Sequence, residues 1–155
     1  MENIIFTAFD IFNFGLVVFF WWFTLKYYKT LPERIPVHFD FDGKADNFGN
    51  KKYSFLIPII GTALFCFFAY ALRHLETANF PVEITDKNRY AQFLIMEIFI
   101  RWLFVLIMLI FMNGQDYMFR HSFDENVKPK VPLFTAILSV IGSLIIVFIF
   151  VAIFK

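Results

Sequence analysis

Long apolar runs separated by short polar stretches repeat along the whole chain. Four windows stand out: Ile5–Leu25, Ser54–Leu72, Phe93–Met112 and Leu133–Phe154. Crossing about 30 Å of hydrocarbon takes roughly 20 helical residues, so each window predicts a transmembrane helix. Trp21, Trp22, Tyr27 and Tyr28 close the first span with an aromatic belt, and Lys26 and Lys29 mark the water side. Pro132 stands at the first-turn position of the fourth span, where a missing N–H is harmless. Only loops join the spans, with no internal repeat. The pattern predicts an all-α membrane protein: a four-helix transmembrane bundle, residues 1–155 forming a single integral membrane domain with both termini on one side.

Composition sharpens this reading. Of 155 residues, 59% are hydrophobic and 22% aromatic, and mean hydropathy is +0.65. Only 17% are charged, against about a quarter in a soluble domain. So much apolar surface calls for the lipid bilayer as its first partner. A net charge of +1 offers no basic field for nucleic acid. Cys66 is the single cysteine, so neither an intrachain disulfide nor a zinc pattern is expected. The N-terminal run lacks the basic flank and cleavage site of a signal peptide and reads as an uncleaved anchor. Lys and Arg number nine in the first and third loops against four on the opposite side, which favours a cytoplasmic position for those loops.

Small residues recur at helical spacing in the fourth span (Thr135, Ser139, Gly142, Ser143) and in the second (Gly61, Ala69). They predict close helix approach there.

The densest polar stretch is LPERIPVHFDFDGKADNFGNKK, Leu31–Lys52. Pro32 and Pro36 make its start rigid and non-helical. Val37–Asp42 then alternates apolar with polar, as a half-buried strand does. Val37, Phe39 and Phe41 would face the protein, with His38, Asp40 and Asp42 outward. Asp42-Gly43 is a turn signal. A short extended, hairpin-like cap over the helix ends is expected in this first loop.

This stretch resembles the motif of a membrane-domain family of unknown function found at the N-terminus of SdpI-type immunity proteins. The matching residues are Leu31, Pro32, Ile35, Pro36, His38, Phe39, Gly43, Asp46 and Lys51, with Phe48-Gly49-Asn50-Lys51 as the motif's ending. The match covers about a fifth of the chain. The family includes an immunity protein against a secreted peptide toxin. The resemblance thus implies a bacterial inner-membrane protein of immunity or regulatory type.

The same loop holds potential metal ligands in His38, Asp40, Asp42 and Asp46. A calcium loop is not formed, because the position six after Gly43 is Gly49 rather than the bidentate Glu. Zinc would find only His38 nearby. The preferred expectation is structural, with no metal or cofactor. Asp42 and Asp46 would make Asx turns, His38 would bond a loop carbonyl, and Lys51 would neutralise a carboxylate.

Ionisable groups also occur within the spans. Glu97 and Arg101 are spaced i,i+4 with the acid first, the favoured order for a helical pair. They read either as a polar focus facing the bundle interior, meeting Asp10 or Asn13 of the first span, or as a snorkelling pair anchoring the helix near the interface. The second is preferred. His74 and His121, each beside an arginine, read as solvated loop histidines. No hydrolase, Walker or zinc-protease motif is present.

Three functions compete. The leading one is a non-enzymatic membrane protein whose cap binds a peptide or another membrane protein. The second is a small accessory subunit packed against a larger membrane complex. The third is a metal-dependent membrane enzyme using His38 and the neighbouring aspartates.

Overall fold

The computed structural model of the protein describes residues 2–40 and 42–155. Four helices are long and apolar enough to cross a membrane: α1 (Glu2–Tyr28), α2 (Leu56–Arg73), α3 (Arg89–His121) and α4 (Leu133–Ile153). Length and composition together mark the chain as an integral membrane protein. Strands β1 (Arg34–Phe39) and β2 (Ala45–Asn50) form an antiparallel hairpin between α1 and α2.

Local chemistry sets the boundaries. α1 closes where Thr30 donates from both its amide and its hydroxyl to the Tyr27 carbonyl, just ahead of Leu31-Pro32. Asn50 ends β2 and starts a 3-10 turn, Lys51–Phe55, by accepting the Lys52 N–H at 3.0 Å. Pro58 falls in the first turn of α2, where its missing donor has no intrahelical acceptor to lose. α3 outruns its expected span at the C-terminal end. Asp116 and Arg120 form an i,i+4 pair at 2.9 Å, and the helix continues through Gln115–His121. At 33 residues it is about 50 Å long.

α1 and α3 run parallel in a constant register. Arg101 meets Asp10 and Gln115 meets Thr24, both 91 positions apart. These two polar contacts lie 14 residues apart along each helix, about 21 Å. Between them Val17, Phe20, Phe104 and Met108 form an apolar core. α2 closes this core at Gly61, where an added Cβ would stand 3.1 Å from the Met108 sulfur. Trp21 also donates to the Thr62 hydroxyl at 2.9 Å. The small-residue expectation therefore holds on α2.

On α4 it holds in part, since that helix approaches α3 about as closely as α2 does but not through Gly142. α1, α2 and α3 form the bundle, whereas α4 packs chiefly along the outer side of α3. The two are antiparallel and tied by polar contacts at three levels. Gln92 donates to the carbonyls of Val151 and Phe154, Trp102 to the Ser143 hydroxyl, and Asn113 exchanges two hydrogen bonds with Val131. Ala136 and Val151 are the buried residues of α4, and no neighbour lies within 4 Å of a Cβ built on Gly142. Side-chain amides and an indole tether the two helices where they approach.

The hairpin sits on the C-terminal end of α3 as a cap. Leu31 and Ile35 are buried against Met118 and Phe119, with Phe23, Val37 and Phe39 packed around them. Phe23 stacks on Phe119 at 5.6 Å, which joins α1 to the same cluster. Fully burying one such side chain contributes roughly 1.5–3 kcal/mol. This cluster is the mechanical link between the cap and the membrane helices.

Candidate functional site

Most of the cap motif serves to build the hairpin. Leu31, Ile35 and Pro36 are buried and Pro32 is exposed. Lys51 bonds Glu33 at 2.9 Å and lies over the Tyr28 ring, so its expected neutralising role is filled by Glu33. Ahead of the expected alternation Ile35 and Pro36 are buried in succession, and the register shifts on both sides of His38. From Val37 onward the pattern is as expected, with Val37 and Phe39 half-buried and His38 and Asp40 exposed. The inward position expected for Phe41 lies outside the described residues.

The turn departs from the expected Asx geometry. Asp40, rather than Asp42 or Asp46, accepts the Lys44 N–H on its side chain at 2.7 Å. Gly43 has φ +79°, a left-handed conformation that favours glycine. Its carbonyl accepts a hydrogen bond from the Tyr117 hydroxyl, so α3 grips the turn directly. Among the described residues His38 bonds no loop carbonyl. Its Nδ1 meets the Asp46 carboxylate at 2.5 Å across the two strands, on the outer face of the cap. His38 and Asp46 are thus brought together, whereas Asp40 and Asp42 are not part of that contact. Among the described residues no three His, Cys, Asp or Glu side chains gather as a metal-binding group.

Below the cap lies an open cleft of about 980 Å³. The hairpin contributes Phe39, Asp40, Asp42–Ala45 and Phe48; the last turns of α3, the third loop and the start of α4 supply the rest. His121 is nine-tenths buried in its wall. The Phe39 ring meets it edge-on at 5.3 Å, and its Nδ1 has no hydrogen-bond partner among the described residues. The expectation of a solvated loop histidine fails there, because α3 extends to His121 and the cap covers it. His74 is exposed at the end of α2, stacked on Tyr70 at 4.4 Å.

A second polar centre lies on the opposite side of the apolar core from the cap. Arg101 donates from Nε to one Asp10 oxygen at 2.7 Å and from Nη2 to the other at 3.2 Å. Its Nη1 reaches the Glu97 carbonyl at 3.1 Å and the Glu97 carboxylate at 3.4 Å. Asn13 donates to the Arg101 carbonyl at 3.3 Å, and the Phe6 ring lies 4.5 Å from the guanidinium carbon. The Arg101 side chain is only 8% exposed. The preferred expectation of a snorkelling pair is therefore corrected: Arg101 turns inward and fastens α3 to α1. The bidentate geometry makes Asp10 its principal partner.

Tyr117, His121, Gln115 and Thr24 were not legible as site residues while Asn113–His121 read as loop. The Asp116–Arg120 spacing, repeated by Tyr117 and His121 one position later, was the available signal of helix.

Residues 15–62 match a family model described as a domain of unknown function (DUF1648). The match runs from the middle of α1 through the complete cap into the first turns of α2, about a third of the chain. No curated protein and no solved structure matches the chain. Across the second half of α1, the cap and the start of α2, then, the chain is similar to a domain family of unknown function.

Proposed function

We propose that the chain is a non-enzymatic membrane protein of immunity or regulatory type, and that the outer face of its cap recognises a peptide or another membrane protein. The observation that carries this reading is the anchoring of the hairpin. Leu31, Ile35, Val37 and Phe39 fasten it to α3, and Tyr117 grips its turn. His38, Asp40 and Asp46 are thereby held in fixed positions outside the membrane helices. A preorganised polar face loses little freedom on binding, which favours recognition over a mobile loop. The resemblance to SdpI-type immunity proteins points the same way and favours the bacterial cytoplasmic membrane.

The test is protection. Cells expressing the chain are exposed to membrane-active secreted peptides, and survival is compared with cells carrying H38A/D46A at equal membrane abundance. Protection that is lost in the double variant supports the reading. Protection by neither protein overturns the immunity role, and equal protection by both overturns the role of the cap's outer face.

α4 favours a second reading, that of an accessory subunit. It is tied to α3 on one side, while Phe134, Ile137, Ile141, Phe148 and Ile149 remain exposed. Such a face suits lipid or a larger membrane partner. Co-purification of one stoichiometric partner, lost when these residues are replaced by smaller apolar ones, would support it.

A further inference from the structure

The cleft beneath the cap has a chemistry that the recognition role of the outer face leaves unused. At its α4 end it is lined by Ile110, Leu133, Phe134 and Ala136, all within transmembrane helices. At its cap end it is lined by Asp42, Lys44, Glu125 and Lys128. Along α3 it runs from Ile110 to His121, eleven residues, about 17 Å parallel to the helix axis. It thus runs from the apolar helix ends to the charged loops along the helix axes, the direction a lipid takes, rather than across them as an interfacial helix does.

Its charges are of both signs and free. Among the described residues, the ammonium groups of Lys44 and Lys128 and the carboxylates of Asp42 and Glu125 are in no ion pair. His121 is nine-tenths buried in the wall with its Nδ1 closed off from the cleft, so it shapes the wall and offers the headgroup no contact. A single negative headgroup would leave the carboxylates opposed to it, and a quaternary ammonium could donate no hydrogen bond to them.

We propose that this cleft seats one glycerophospholipid whose headgroup carries a phosphate and a primary ammonium. The phosphate is placed by Lys44 and Lys128, and the ammonium by Asp42 and Glu125. One acyl chain lies against Ile110, Leu133 and Phe134. The proposal is independent of the partner recognised by the outer face of the cap.

The test uses the full chain in mild detergent. Phosphatidylethanolamine, phosphatidylglycerol and phosphatidylcholine of identical acyl chains are titrated separately and followed by native mass spectrometry. A single phosphatidylethanolamine adduct is expected at concentrations at least tenfold below those needed for the other two. K44Q/K128Q should weaken it about tenfold, and D42N/E125Q should shift preference towards phosphatidylglycerol. These four side chains are unpaired, so neither double variant should change the thermal unfolding midpoint. Equal binding of all three lipids, or binding unaffected by both double variants, overturns the proposal. So does equally tight capture of inorganic phosphate or glycerophosphoethanolamine, since acyl contact would then contribute nothing.

Discussion

Replacing Asp10 with Ala should destabilise the protein far more than replacing Glu97 with Gln, although Glu97 shares a helix with Arg101 and Asp10 does not. The two Asp10 oxygens stand 2.7 and 3.2 Å from guanidinium nitrogens, whereas the Glu97 carboxylate makes one contact at 3.4 Å. At about 3 Å and an effective dielectric near 20, a full charge pair attracts by about 5 kcal/mol. Asp10 is half exposed, so hydration and screening reduce that figure to roughly half. Removing it also leaves Arg101 with only its long contact to Glu97, and a wholly unpaired arginine at the bilayer centre, costing about 2.5–3.5 kcal/mol on the insertion scale, bounds that loss. Both routes give a loss of about 2–3 kcal/mol for D10A and under about 1 kcal/mol for E97Q. The assay is reversible unfolding in mixed micelles followed by tryptophan fluorescence. A double-mutant cycle with R101M isolates the pair, because D10A/R101M removes the stranded charge and should recover much of the loss. The reasoning is refuted if E97Q equals D10A, or if the D10A–R101M coupling falls below about 0.5 kcal/mol.

F39D forces a charge between Tyr117 and His121 and should cost a few kcal/mol, read as lost amide protection across Arg34–Asn50 with α1–α3 still folded. Equal protection in the variant would place Phe39 outside the cap's anchor. G43A should cost about 1–2 kcal/mol from the positive φ alone, since its Cβ would meet only the Tyr117 oxygen at an ordinary 3.6 Å. G43N, better suited to that conformation, should lose less, and an unchanged G43A hairpin would refute the turn geometry. Cysteines placed at Asn47 and Asn126 should label from one side of the membrane and at Asn79 from the other; any other pattern breaks the four-span topology.

Much of the fold was legible because hydrophobicity, proline and aromatic belts act over short stretches of chain. The four spans follow from the length and composition of their apolar runs, and the hairpin follows from two prolines, an alternating stretch and Asp-Gly. Long-range pairing left weaker traces. Nothing near Arg101 in sequence distinguishes a partner at i−4 from one 91 positions away, and the helical spacing of Glu97 made the local partner the natural choice. The register of α1 on α3 decides it, and that register is set jointly by Thr24–Gln115 at the other end of the core. His121 was misread for a related reason. Gly114 and the polar run that follows resemble a loop, yet the Asp116–Arg120 pair and the covering cap keep that segment helical. The small residues of α4 were a partial guide, since Gln92, Trp102 and Asn113 tether that helix to α3 and the contact does not run through Gly142. In each case a polar side chain chose its partner across space. The cleft under the cap arises at that level too, where hairpin, α3 and third loop meet and no one segment carries the whole pattern.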